Sequence, residues 1–375
     1  IVIFNDELAK NLKLNIKNII KDELSLIFSG QISETNNRFY SQAYAGHQFG
    51  YFTMLGDGRA LCLGEHINNN NERFDIQLKG SGKTPYSRNG DGKATLESML
   101  REYLISEAMF GLKIPTTRSL AVVTTGENVF RERKFQGAIL TRVASSHIRV
   151  GTFQFASIQK DSNILNQLFE YTVKRHYPEI NNIKNKAENL LKALIEKQID
   201  LVINWMRVGF IHGVLNSDNV TLSGETIDYG PCSFMDYYSP NTVFSSIDIK
   251  GRYSFINQEI ISHWNVSRFA ETLIPLLSDN EEKAISIGSE IINEFSKIFK
   301  TKWLNMMRKK FGFIGECDED ENFINRFLSW MEKNTVDYTN TFLYLMNHKI
   351  SHNQNYQKPS FQTLYKEWEI RKNKN

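Results

Sequence analysis

The sequence predicts an α+β fold, in which a region of mixed strands and helices precedes a mainly helical region. Strand-like alternation of apolar and polar side chains is found at residues 74–79, 118–125 and 137–143. Apolar side chains at helical spacing are found at residues 95–111, 164–177, 187–206, 266–277, 282–308, 321–333 and 338–347. We therefore expect two lobes, residues 1–155 and residues 156–375, each large enough to hold a core.

Composition narrows the class of protein. The 375 residues are 41% hydrophobic and 12% aromatic, which is typical of a packed globular chain. A formal net charge of +3 without a long basic run argues against a nucleic-acid partner. No apolar run approaches the length of a membrane span. Cys62, Cys232 and Cys317 are far apart, which favours a reducing compartment, and we expect the cytoplasm. An organellar leader stays open, because the sequence starts at Ile1 rather than Met.

One loop carries the chemistry that the sequence suggests. The interval from His212 to Asn219 equals that between His and Asn in the kinase catalytic loop H-R-D-L-x-x-x-N. Asp228, followed by Tyr and Gly, matches the D-F-G element, whose Asp holds magnesium in kinases. The kinase base should stand two positions after the His, but Val214 is there, and Asp218 is the only carboxylate nearby. The loop thus predicts a protein-kinase-like bilobal fold with a relocated base or with no activity.

Upstream residues follow the same order as in a kinase. Lys79 ends a predicted strand and Glu102 lies in a predicted helix, as in the Lys–Glu pair that orients a kinase lysine on phosphates. Gly56 and Gly58 stand between strand-like flanks and indicate a hairpin whose backbone can approach a phosphate. Two solvated charges and an ordinary glycine turn are the alternative interpretations.

Two arginines bracket the segment that joins the predicted lobes. Arg142 and Arg149 flank Ala-Ser-Ser-His, and the guanidinium group matches phosphate oxygens in a two-point contact. They could clamp a polyphosphate; the alternative is a salt-bridged hinge. Each of these signals is weak alone, but their shared order along the chain is more specific.

The motifs together resemble a known family, the selenoprotein O (YdiU) family. The resemblance extends from the first helix to about residue 275, and its segments are YAGHQFG, LGDGRA, DIQLKGSGKTPYSRNGDGKATLESMLREYLISEAM, IPTTRSL, LTRVASSHIRVG, GFIHGVLNSDN, TIDYGP and GRYSFINQ. It implies a kinase-like bilobal fold and transfer of AMP, rather than phosphate, from ATP to hydroxyl side chains of proteins. Some members are described as using UTP. Because family members commonly continue further, we expect this chain to be truncated or a short member.

The resemblance also implies roles for individual residues. The implied nucleotide contacts are Gly56, Gly58, Arg59, Lys79, Asp91, Gly92, Arg142, Arg149 and Asp228. Glu102 would pair with Lys79, Asp218 would accept the proton, and Asn219 with Asp228 would bind Mg²⁺ or Mn²⁺. The family binds the nucleotide reversed relative to a kinase, with the γ-phosphate inward near the arginines and the α-phosphate facing the acceptor.

Three rival functions remain open at the level of sequence. They are a kinase-like phosphotransferase, a UMP-transferring enzyme and a non-catalytic pseudokinase that senses nucleotide. Val214 argues against an ordinary kinase, and the intact set of Lys79, Glu102, Asn219 and Asp228 argues against a scaffold. The expected partners are ATP and protein substrates with hydroxyl side chains, with no nucleic acid and no membrane.

Overall fold

A computed structural model describes residues 1–16, 18–31, 39–347 and 353–374. The chain divides into two compact units. Unit 1 comprises Ile1–Leu194, Asn216–Gly230 and Asn265–Gly288, and unit 2 comprises Ile195–Leu215, Pro231–Trp264 and Ser289–Asn375. The candidate residues of the loop, Asp218, Asn219 and Asp228, therefore belong to unit 1. The predicted lobe boundary at residue 155 stays a prediction.

Strands are concentrated before residue 150 and helices after it, which confirms the predicted α+β class. The strands are β1 (Ile3–Phe4), β2 (Ala43–Gln48), β3 (Tyr51–Gly56), β4 (Ala60–Ile67), β5 (Arg73–Lys79), β6 (Ala94–Thr95), β7 (Arg118–Phe130), β8 (Lys134–Ala144), β9 (Phe210–Ile211) and β10 (Ser233–Phe234). The α-helices are α1 (Asp6–Asn11), α2 (Lys21–Phe28), α3 (Leu96–Gly111), α4 (Val150–Ser157), α5 (Ser162–His176), α6 (Lys186–Arg207), α7 (Gln258–Leu277), α8 (Glu281–Asn293), α9 (Phe295–Phe311), α10 (Asp320–Lys333), α11 (Tyr338–Asn347) and α12 (Pro359–Lys372). Short 3-10 helices span Pro178–Ile180, Ser217–Asn219 and Gln354–Gln357.

The main sheet of unit 1 is antiparallel, with strand order β1-β7-β8-β5-β4, and β6 also pairs with β8. Helix α3 packs on it through Met99 and Tyr103, which meet Val122 of β7 and Leu140 of β8. The helix starts after Thr95, whose hydroxyl accepts the backbone N–H of residue 98 and so satisfies an otherwise unpaired donor. This packing fixes α3 against β7 and β8, and β8 in turn pairs with β5, the strand that carries Lys79.

One predicted hairpin is wrong, and one strand is longer than predicted. Residues 56–59 do not close a hairpin, because β3 pairs with β2 in a separate two-stranded sheet while β4 pairs with β5. The chain passes between sheets at this point, which a local pattern cannot reveal. Strand β7 continues past residue 125, the predicted end, and a register shift between Thr124 and Asn128 absorbs Gly126 as an irregularity. The chain reverses at residues 131–133 instead.

The predicted helices are mostly present, with altered ends. The single helix expected over residues 282–308 is in fact two helices, α8 and α9. The prediction missed the break because the helical spacing of apolar residues continues across it. Helix α7 begins at Gln258, earlier than expected, and α12 was not predicted. In unit 2 the Phe311 ring contacts those of Phe327 and Phe342 at centroid distances of 5.0 and 5.1 Å, as expected for a core stripe. None of the helices in the described part of the chain is long and apolar enough to cross a membrane.

Candidate functional site

Strand β5 and helix α3 bring Lys79 and Glu102 together. Side chains of alternate strand residues share a face, so Lys79 and Gln77 point to the same side of the sheet. Gln77 pairs with Arg142 on the neighbouring strand β8. The Lys79 Nζ lies 2.6 Å from Glu102 Oε2, and both residues are buried, with 5% and 2% of their surface exposed. The interpretation of these residues as two solvated charges is therefore wrong.

Asp228 is the point at which three cations converge. Its Oδ1 lies 2.7 Å from Lys79 Nζ and 2.6 Å from Arg142 Nη2, and its Oδ2 lies 3.1 Å from Arg149 Nη1. Arg142 also bonds to Glu102 and donates to Gln77, so that arginine is almost fully engaged inside the protein. Five ionised groups that the sequence predicted thus form one largely buried cluster, which we call the Asp228 cluster: Lys79, Glu102, Arg142, Arg149 and Asp228.

Backbone contacts hold the loop that contains Asp218 and Asp228 in place within unit 1. Val150 N donates to Val220 O at 2.8 Å, and Leu222 N donates to Ile148 O at 2.9 Å. These bonds tie the start of α4, and with it Arg149, to the residues that follow Asn219. A second set joins Thr226 to residues 115–117. Asp228 itself has a φ of 62°, a left-handed conformation that is uncommon for residues other than Gly, Asn and Asp.

Asp218 lies beside this cluster in a different environment. It is buried, and its backbone carbonyl accepts a hydrogen bond from Arg149 Nη1 at 3.0 Å. The side chain of Gln48 lies near the Asp218 carboxylate, and the buried Oδ1 has no hydrogen-bond partner. A buried carboxylate oxygen without a hydrogen-bond partner lowers the stability of the folded protein. Unpaired groups of this kind are often found where a protein acts on a ligand.

The two carboxylates have opposite electrostatic surroundings. Burial raises the pKa of Asp218 to about 6, although the Arg149 charge opposes the shift. Burial acts in the same direction on Asp228, but Arg142, Lys79 and Arg149 outweigh it and hold its pKa well below the usual range. Asp228 is thus permanently ionised, as a metal or cation partner should be, whereas Asp218 has a pKa suited to accepting a proton near neutral pH.

Asn219 and Asp228 supply donors that fit a hard divalent cation such as Mg²⁺ or Mn²⁺. Oδ1 of Asp228 already accepts two hydrogen bonds, but Oδ2 accepts one and keeps a lone pair, and the side chain is partly exposed. Among the described residues, no group of three or more His, Cys, Asp or Glu side chains is placed to hold a metal. A cation bound here would complete its shell with phosphate oxygens and water, as Mg²⁺ commonly does.

The remaining predicted nucleotide contacts lie around the glycine turns. Arg59 is exposed. Burial and the charge of Arg142 lower the pKa of Lys79, and the charge of Arg59 contributes in the same direction, which indicates that Arg59 is near the cluster. An added Cβ at Gly56 would meet the ring of Tyr86 at 2.2 Å, and one at Gly58 would meet the Tyr86 carbonyl at 2.9 Å. The side-chain faces of both glycines are therefore filled by the protein itself.

Asp91 and Gly92 form a separate turn. Arg131 binds the Asp91 carboxylate at 2.8 and 2.9 Å, and these hydrogen bonds lower the pKa of Asp91 to about 2. Gly92 has a φ of 68°, and an added Cβ would lie 2.0 Å from the Gly82 carbonyl. The contacts described for these two residues join them to their own turn and to Arg131, not to the Asp228 cluster, and their nucleotide role stays a prediction.

Sequence reasoning missed Asp57, Gln77 and Tyr44 as parts of the site. Asp57 Oδ1 lies 3.4 Å from Arg149 Nη2, and its Oδ2 accepts a hydrogen bond from Gln77 at 3.0 Å. The guanidinium carbon of Arg149 lies 4.6 Å from the centre of the Tyr44 ring. Polar residues at alternate positions of a buried strand, Gln77 and Lys79, were the available signal. The partners of Arg149 had no such signal, because they come from distant parts of the chain.

Comparison with known proteins matches residues 1–374 to the family described as "Protein adenylyltransferase SelO". The "Protein nucleotidyltransferase YdiU" of Pelagibacter ubique is 58% identical over 98% of this chain and 76% of its own length. The protein of the same description from Nitrosococcus oceani is 54% identical over 99% of this chain and 75% of its own. ROP2 from Toxoplasma gondii, described as a virulence factor with a protein-kinase fold and no enzymatic activity, is 11% identical over 88% of this chain and 86% of its own, with a TM-score of 0.31. At that score the likeness carries no argument.

The buried cluster and these matches define an enzyme that transfers nucleotides. The chain belongs to the family of protein adenylyltransferase SelO. Membership confirms the predicted resemblance and the nucleotidyltransferase class.

Proposed function

We propose that this protein transfers AMP from ATP to Ser, Thr or Tyr hydroxyls of other proteins and releases pyrophosphate. The observation that carries the proposal is the Asp228 cluster itself. Three buried cations meet one carboxylate, and a second carboxylate, Asp218, lies beside them with a buried oxygen free of hydrogen bonds. Such a site can neutralise a polyphosphate and accept a proton, which are the two requirements of transfer to a hydroxyl.

Arg149 is the best candidate for holding the distal phosphates. Its Nε is buried without a hydrogen-bond partner, whereas Arg142 directs donors to Glu102, Asp228 and Gln77. Placing the β- and γ-phosphates near Arg149, Lys79 and Arg59 would leave the α-phosphate toward the acceptor. In this arrangement Arg142 fixes Glu102 and Asp228, and its own phosphate contact stays a prediction.

The proposed reaction needs one bond formed and one broken. The acceptor hydroxyl oxygen attacks the α-phosphorus, the bond from that phosphorus to the bridging oxygen breaks, and pyrophosphate leaves. The hydroxyl proton passes to the Asp218 carboxylate. Lys79 and Arg149 stabilise the negative charge that grows on the leaving pyrophosphate. A divalent cation held by Asn219 and Asp228 would supply further neutralisation of phosphate charge.

Phosphoryl transfer from the γ-phosphate is the second candidate. The Lys79–Glu102 ion pair, at 2.6 Å, is the arrangement that kinases also use. Against it stands Val214 at the position of the kinase base. UMP transfer from UTP is a variant of the proposed chemistry, since the proposed contacts of the cluster are with the phosphates and not with the nucleobase.

Mass spectrometry of acceptor proteins distinguishes these functions. The protein is incubated with Mg²⁺ or Mn²⁺, a whole-cell proteome and either ATP or UTP. We expect the mass increment of AMP on Ser, Thr or Tyr. An increment of phosphate would make the protein a kinase, a UMP increment in preference to AMP would change the donor, and no increment with any donor would favour a nucleotide-sensing scaffold.

Replacing Arg149 should weaken the binding of ATP far more than the binding of AMP. Arg149→Ala removes charge-assisted hydrogen bonds worth about 1.5–3 kcal/mol, so we expect the Kd for ATP to rise about 10- to 100-fold. AMP lacks the distal phosphates and should bind nearly as before. Calorimetric titration of both nucleotides measures the difference. The control is Arg326→Ala, which removes an exposed arginine paired with Glu367 on α12. Equal weakening of AMP and ATP would contradict the assignment.

A further inference from the structure

We propose that strand β2 orients the Asp218 carboxylate for proton transfer, with Gly46 and Gln48 as positioning residues. The inference rests on the proposed role of Asp218 as the proton acceptor. Strand β2 contains most of the YAGHQFG motif, to which the reaction as described above assigns no part.

Gly46 lies directly against the Asp218 side chain. A Cβ added at Gly46 would stand 2.7 Å from Asp218 Oδ1, 2.9 Å from its Cβ and 3.1 Å from its Cγ. Gly46 is not among the glycines with positive φ, so its backbone conformation is open to other residues. The need for glycine therefore comes from this contact: only a residue without a side chain leaves Oδ1 in its place.

Gln48 holds the other side of the same carboxylate. Its side chain lies beside the Asp218 carboxylate, whose Oδ1 has no hydrogen-bond partner. Gly46 and Gln48 thus border the carboxylate, with Oδ1 buried next to Gly46. A carboxylate confined by its neighbours has one favoured rotation, which is the condition for a base aimed at a single hydroxyl.

A ring of hydrogen bonds fixes the backbone next to Asp218. His47 N donates to Ser217 Oγ at 2.8 Å, Ser217 Oγ donates to Gln154 Oε1 at 2.7 Å, and Gln154 Nε2 lies 2.9 Å from His47 Nδ1. Gln154 comes from α4, the helix that follows Arg149. The ring therefore couples β2, α4 and the 3-10 helix of Asp218, so that the proton acceptor and the proposed phosphate-binding arginine share one support.

The decisive variant is Gly46→Ala. Its methyl group must displace the Asp218 carboxylate, and a misplacement of about 1 Å at a reacting group can cost about 10²-fold in rate. We expect kcat for AMP transfer to fall by about that factor, while the Kd for ATP changes less than about twofold, because no phosphate-binding residue is touched. Gln48→Ala should lower kcat in the same way, to a smaller extent, through loss of the fixed rotation.

The matched control is Gly111→Ala, at the end of α3, where an added Cβ meets nothing within 4 Å. It should leave kcat and ATP affinity unchanged. Thermal unfolding of all variants, and ATP titration, show whether a loss of rate comes from a loss of fold. If Gly46→Ala cannot be obtained folded, Gln48→Ala alone decides, because its side chain is not required to fill a core.

The outcomes separate this inference from the proposed function. If the unaltered protein transfers no AMP, the proposed function fails and takes this inference with it. If the unaltered protein is active and Gly46→Ala or Gln48→Ala is equally active, β2 does not position Asp218 and only this inference fails. A variant that loses ATP affinity in proportion to its rate would assign β2 to nucleotide binding and overturn the positioning role as well.

Discussion

Asp228→Asn should reduce nucleotide transfer by at least about 10²-fold while the protein still binds ATP. Asn is nearly isosteric and tolerates the left-handed backbone at this position, where φ is 62°. The substitution thus removes the charge without adding backbone strain. Loss of that charge leaves the positive charges of Lys79, Arg142 and Arg149 close together with less negative charge to balance them. It also removes a carboxylate ligand from the proposed cation site.

The same substitution has a second measurable effect. Removing one partner of a buried ionic group typically costs about 3–5 kcal/mol, so the free energy of unfolding should fall, and ATP should restore part of it by bringing new negative charge. Denaturant unfolding with and without ATP measures this. The control is Asp161→Asn at the start of α5, where Asp and Asn cap a helix equally well. Full turnover in Asp228→Asn, or in EDTA, would contradict the assignment of Asp228.

Asp218→Asn should lower kcat by about 10²–10⁴-fold with ATP affinity almost unchanged. The amide keeps the size of the side chain but cannot accept the hydroxyl proton. The phosphates are proposed to lie at Lys79 and Arg149, so binding of ATP should not depend on this carboxylate. Single-turnover kinetics, with ATP affinity measured separately, test the split between rate and binding. Loss of ATP binding with normal chemistry in the bound state would make Asp218 a metal ligand or a structural residue.

The sequence predicted the members of the Asp228 cluster because each lies in a segment with a clear period or motif. Lys79 ends an alternating strand, Glu102 lies on a helix face, and Asp228 stands in a tripeptide that matches a known metal-binding element. Their convergence within hydrogen-bond distance required the strand order of the sheet. The pairing of β5 with β8, which sets Gln77 opposite Arg142, has no local signal.

Long-range contacts explain what the sequence did not reveal. The approach of β2 to Asp218 joins residues that are more than a hundred positions apart, and Gly46 looks like an ordinary strand glycine until its neighbour is known. The backbone of Gly56 and Gly58 was expected to approach a phosphate, which stays a prediction, and the contact of their side-chain faces with Tyr86 had no signal in the sequence. The local pattern indicated that the chain turns near Gly56 and Gly58. It could not indicate that the strands on either side, β3 and β4, belong to different sheets.

The central claim is that the α-phosphate, not the γ-phosphate, reaches the acceptor. It is tested most directly by parallel reactions with ATP labelled at one phosphate or the other, with a whole-cell proteome and Mg²⁺ or Mn²⁺, and with Asp228→Asn as the inactive control. We expect protein-bound label only from α-labelled ATP, and label in free pyrophosphate from γ-labelled ATP. Protein-bound label from γ-labelled ATP would contradict the account and make the protein a kinase with a displaced base.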